Sequence, residues 1–275
     1  MNSRQTVTSQ TRHIRANYNA RLKKRFRKPI PRSVVPSFFT LMNLFCGFLA
    51  IVQIHEGQVV YAAWLIVVAG LFDVMDGFMA RLANGTSEFG IELDSLSDVV
   101  SFGVAPGFLI YHFSLGQLST LGVILSTFPA LFGAVRLARF NVEARNGEKN
   151  DYFKGLPIPA QAMILVAFVL LFNDGDPFFD SLKNGVNTVL IPTVIILSGL
   201  MVTTIPFDKI PRFNRKMEHQ DRIAILFFIL YLTLIMLFRH YGLMIAFAIF
   251  ILRGLGRGAY KFLRELREED HHPAH

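Results

Sequence analysis

A chain of 275 residues that is 52% hydrophobic, with 27 phenylalanines and a mean hydropathy of +0.40, is too apolar for an ordinary water-soluble domain. The net charge of +8 and pI of 9.8 would suit nucleic acid, but the basic residues cluster beside long apolar runs, so anionic lipid headgroups are the better partner and no nucleic acid is expected. Cys46 is the only cysteine and falls inside an apolar run, which excludes an intramolecular disulfide or a thiolate metal cluster.

Residues 1–33 form a basic juxtamembrane segment, dense in Arg21, Lys23, Lys24, Arg25, Arg27 and Lys28. Tyr18, Leu22 and Phe26 recur every four residues, as in an interfacial amphipathic helix; a disordered arm is the alternative. The basic stretch is long and the run from Val34 ends without a small-residue cleavage site, so a cleavable signal peptide is not expected.

Eight apolar spans follow, at 34–54, 59–83, 88–114, 118–140, 157–173, 187–206, 222–239 and 241–259, the fifth being the shortest. They predict an all-α polytopic membrane bundle over 34–260, with short polar connections and a cytoplasmic tail at 261–275. An even number of spans puts both termini on one side, and all of the 28 basic residues except Lys183 and Arg239 then fall there. By the positive-inside rule that side is cytoplasmic, most simply in the inner membrane of a prokaryote. The aspartates Asp174, Asp176 and Asp180 lack the glycine and terminal glutamate of a calcium loop, and His271, His272 and His275 lie on a tail with no fixed geometry.

The second and third spans carry Asp73, Asp76, Arg81, Glu88, Glu92, Asp94 and Asp98. An aspartate at the bilayer centre costs about 2.5–3.5 kcal/mol, so four cost on the order of 10 kcal/mol unless something partners them. Asp73 and Asp76 are three apart, Asp94 and Asp98 four apart, so each pair shares a helix face. If the hairpin turns at Gly85, Asp76 faces Asp94 and Asp73 faces Asp98, giving two rungs of carboxylates open to the cytoplasm. Arg81 alone cannot balance four acids. Hard oxygen donors without histidine or cysteine favour Mg²⁺ or Mn²⁺, with room for two ions, and such a site suits phosphoryl transfer.

The residues Asp73, Asp76-Gly77, Ala80-Arg81, Gly90, Asp94 and Asp98 fit D-x2-D-G-x2-A-R-x8-G-x3-D-x3-D, eight fixed residues over 26 positions. This resembles the signature of the CDP-alcohol phosphotransferase family. The resemblance implies Asp73, Asp76, Asp94 and Asp98 around the metal, with Asp98 as general base. It implies a CDP site using Asp73, Gly77, Arg81 and Gly90, where the glycines let the nucleotide approach the backbone and the arginine fork meets the pyrophosphate. A homodimer is implied as well. Helix packing is the plainer reading of each glycine taken alone.

The motif leaves the acceptor open. The segments Ser101-Phe102-Gly103, Arg136-Leu137-Ala138-Arg139-Phe140-Asn141 and Gly155-Leu156-Pro157 resemble the phosphatidylserine synthase branch of that family. That implies CDP-diacylglycerol as donor and L-serine as acceptor, with Ser101, Arg136, Arg139, Asn141 and Lys154 as candidate serine contacts. Inositol phosphate, glycerol phosphate or choline remain alternatives. An ion or proton transporter would also carry intramembrane carboxylates, and a membrane prenyltransferase also binds diphosphate through metal, though its clusters read D-D-x-x-D or N-D-x-x-D.

Overall fold

The computed structural model describes residues 34–82, 87–146, 153–173, 185–207 and 240–269. The basic arm, the aspartate-bearing loop, the seventh expected span and the histidine tail lie outside them. Seven of the eight expected spans have a helix among the described residues. Five of these are long and apolar enough to cross a membrane, and two shorter apolar helices accompany them. The protein is an all-α integral membrane protein.

α1 (Val34–His55) and α2 (Val59–Leu82) form an antiparallel hairpin. The turn between them needs a left-handed residue, supplied by Gly57 at φ 79, whose N–H bonds to the Ile54 carbonyl at 3.0 Å. α3 (Glu88–Asp98) starts at Ser87, whose hydroxyl accepts from the Gly90 N–H at 3.0 Å, with Glu88 favourably placed in the first turn.

The third span is not one regular helix. Val99–Val104 is a π-helical stretch, and the Ala105 N–H reaches back five residues to the Val100 carbonyl before α4 (Ala105–Phe113) resumes the ordinary pitch. Pro106 offers no N–H to the preceding turn, which weakens the regular ladder there. Gly103 allows the widened turn to press on α5: a Cβ at that position would meet the Ala130 Cα at 2.9 Å.

α5 (Thr120–Arg145) runs five residues beyond its expected end at 140, so Asn141 is helical rather than part of a loop. α6 (Ile158–Phe172) is the fifth span and is shorter than those before it. Nearly every residue from Ile158 to Val169 is buried, so other helices surround it, whereas the longer helices show apolar side chains such as Phe45, Phe48, Leu71 and Leu131 to lipid. α7 (Asn187–Val202) stands beside α5. α8 (His240–Glu269) passes the expected end of its span at 259 and continues as one helix to Glu269, into the sequence assigned to the tail.

A two-residue antiparallel pairing, β1 (Phe153–Lys154) with β2 (Pro206–Phe207), ties the segment before α6 to the segment after α7. Gly155, at φ 80, gives its N–H to the Ile205 carbonyl at 2.9 Å, and Leu156 gives its own to Leu200 at 3.0 Å. The Arg139 guanidinium completes the tie by donating to the carbonyls of Val202, Lys154 and Thr203 at 2.9, 3.2 and 3.2 Å.

Candidate active site

α2 and α3, each packed against α1, bring their aspartates together. One carboxylate oxygen each from Asp73, Asp76 and Asp94 lies within 4.8 Å of the others, close enough to ligate a common ion. Asp76 is buried, while Asp73 and Asp94 are half-buried. Asp76 Oδ2 and Asp94 Oδ1 are buried and accept no hydrogen bond among the described residues. Three anionic groups at this separation repel one another, and a cluster of carboxylates with buried oxygens left unmet fits a hard divalent cation.

Asp98 stands one turn deeper on α3. It is outside the trio but lies beside Asp73, so it adjoins the trio without completing it. The Asn43 side chain on α1 donates from Nδ2 to Asp98 Oδ1 at 3.2 Å, with both residues buried. Thr40, one turn earlier on α1, hydrogen-bonds to the Asp76 carboxylate. Neither α1 residue belongs to the aspartate signature. A single Asn and a single Thr in an apolar run carried no pattern, and only their three-residue spacing hinted at a shared face.

The two glycines of the signature differ. A Cβ on Gly77 would meet nothing within 4 Å among the described residues, so their packing does not require that glycine. A Cβ on Gly90 would come within 3.1 Å of the Ser87 hydroxyl, so Gly90 also serves the start of α3. Arg81 lies in the last turn of α2, and its side chain is outside the described residues.

The candidate serine contacts do not share one role. Ser101 is buried and its hydroxyl donates to the Asn43 carbonyl at 2.9 Å. Arg139 is committed to the three carbonyls of the tie. Asn141 donates to the Ser95 hydroxyl at 2.9 Å, and Lys154 pairs with Glu143 at 3.3 Å. Arg136 alone among them is a buried cation whose charge acts on Asp98. Glu92, in the same acidic stretch, pairs with Arg145 near the surface, away from the aspartate trio.

A clustered acid trio on two membrane helices narrows the chemistry, and sequence comparison decides the family. The profile described as CDP-alcohol phosphatidyltransferase matches residues 33–205, more than half of the chain. The chain belongs to that family. Family members generally use divalent metal, in keeping with the acidic trio. The chain is 36% identical over 185 residues to the CDP-diacylglycerol--serine O-phosphatidyltransferase of Helicobacter pylori, covering 67% of this chain and 75% of the relative. It is 36% identical over 177 residues to the protein of the same name from Methanocaldococcus jannaschii, covering 64% and 75%. To the archaetidylserine synthase of Methanothermobacter thermautotrophicus it is 34% identical over 178 residues, covering 64% and 70%.

Proposed function

We propose that this family member is a phosphatidylserine synthase, which transfers the phosphatidyl group of CDP-diacylglycerol to the hydroxyl of L-serine and releases CMP. The observation that carries the reading is the separation of the acids: three gather around one centre, and the fourth is held beside them by an uncharged amide. Similar proteins from a bacterium and an archaeon whose names contain serine support the acceptor.

In this reading Asp73, Asp76 and Asp94 hold Mg²⁺ or Mn²⁺, with Asp98 close enough to share a second ion. A metal held by these aspartates would supply positive charge to neutralise the pyrophosphate oxygens and the departing CMP. The backbone at Gly77 admits the nucleotide, and Gly90 and Arg81 complete its cradle, the guanidinium meeting the pyrophosphate. Donor acyl chains stay among lipid-facing helices. Arg136, a buried cation on the helix beside the acids, takes the serine carboxylate.

Asp98 accepts the proton of the serine hydroxyl as its oxygen attacks the lipid-linked phosphorus. One P–O bond forms to serine while the P–O bond to CMP breaks, and the proton on Asp98 returns to solvent. Eight spans, cytoplasmic termini, a homodimer and a prokaryotic inner membrane belong to the same proposal.

The test supplies purified protein with CDP-diacylglycerol and Mn²⁺ or Mg²⁺, together with serine, inositol phosphate, glycerol phosphate or choline in turn. CMP release with serine is expected; release with another alcohol instead would reassign the acceptor. Metal-independent ion flux in liposomes without CMP release would mark a transporter. Asp98→Asn should abolish transfer while nucleotide binding persists, and retained turnover would remove Asp98 from the base role.

A further inference from the structure

α1 meets the acid-bearing helices along a polar seam. Thr40 and Asn43 are three residues apart on one helix face, and each side chain bonds to a different aspartate: Thr40 to Asp76, Asn43 to Asp98. The main-chain carbonyls of the same two residues accept hydrogen bonds from the other side. Ser97 Oγ donates to the Thr40 carbonyl at 3.0 Å and Ser101 Oγ to the Asn43 carbonyl at 2.9 Å. Gly47, one turn further along α1, lies so close to Ser101 that a Cβ there would collide with it. The two helices are therefore fixed in both register and distance at the level of Asp98.

Within this seam Asn43 is anomalous. The residue is fully buried, yet its Oδ1 accepts no hydrogen bond among the described residues. A buried amide with its acceptor unmet is less favourable than an apolar side chain of the same shape, so stability does not account for asparagine at this position. The one service an isosteric leucine could not render is the hydrogen bond to Asp98. A carboxylate without partners turns about its last side-chain bond; one gripped through a single oxygen presents the other in a fixed direction.

We propose that Asn43 is a positioning residue for proton transfer, clamping Oδ1 of Asp98 so that its other oxygen is presented to the acceptor hydroxyl. The inference rests on Asp98 being the base. Thr40 stands in the same relation to Asp76, on the metal side of the site.

The experiment compares full-length Asn43→Leu and Asn43→Ser with the parent enzyme and with Asp98→Asn. It measures kcat, KM for both substrates, Mn²⁺-dependent binding of CDP-diacylglycerol and thermal stability in detergent. Loss of a positioning bond should lower kcat about 10–100-fold, with both KM values within about three-fold. Donor binding should be unchanged, and the leucine variant should melt at or above the parent temperature. A kcat within about three-fold of the parent in either folded variant overturns the proposal, as does loss of the fold in both. If Asp98→Asn is inactive while the Asn43 variants are normal, only this inference falls. Turnover by Asp98→Asn would remove the base reading and the inference with it.

Discussion

α3 and α6 belong to the same bundle and fill their buried faces in opposite ways. From Ile158 to Val169, α6 buries aliphatic, alanine and aromatic residues, interrupted by Gln161, whose amide donates to Ser198 at 3.2 Å. α3 and its π-helical continuation bury Ser97, Asp98 and Ser101, each bonded to α1. Inside a membrane, where lipid tails are as apolar as leucine, helices gain from close packing and interhelical hydrogen bonds rather than from escaping water. α6 is a packing element accordingly. α3 is a precision element, whose polar contacts fix its acid-bearing face against α1.

That contrast predicts that substitutions on the two helices separate activity from stability. The largest effect should come from Asp94→Asn, which removes one charge from the trio. kcat/KM should fall by about 10³-fold or more, and Mn²⁺ binding should be lost, while the melting temperature is retained or raised by relief of repulsion. A metal titration followed by a thermal melt checks both halves, and a large drop in stability would mean that the aspartates serve the fold.

Leu165→Ala, at a fully buried position of α6, should do the reverse. The cavity should cost about 2–5 kcal/mol, read as a lower melting temperature, with KM for both substrates unchanged in the surviving folded enzyme. Gly77→Ala sharpens the comparison at the smallest scale. The added methyl meets no atom of the described residues within 4 Å, so stability should hold or rise slightly, helped by alanine's helix propensity. KM for CDP-diacylglycerol should nevertheless rise about ten-fold if the nucleotide passes there. Unchanged kinetics would move the nucleotide elsewhere.

The sequence made α3's acids legible because each aspartate violates the apolar pattern around it, and the three- and four-residue spacings declare a shared face. The same logic could not find Asn43 or Thr40, because a lone small polar residue in an apolar helix is commonplace and its partner is 55 residues away. The partners of Arg139 were hidden for a related reason. They are main-chain carbonyls of Lys154, Val202 and Thr203, which leave no trace in side-chain identity. The shortness of the fifth span was visible, but its burial was not, since apolar residues facing protein and apolar residues facing lipid read alike. Gly103 and Pro106 were legible as residues and, together, mark the place where the third span changes pitch.

The widened turn at Val99–Val104 has a consequence for clocking. An α-helix advances about 100° per residue, so rewinding this stretch at ordinary pitch with all its residues kept would rotate everything on its N-terminal side by roughly that angle relative to α4. Asp94 and Asp98 would swing together away from α2, leaving Asp73 and Asp76 facing a blank wall. The azimuth of the catalytic half of this helix is thus stored downstream of the acids themselves, in a segment that bears no charge at all.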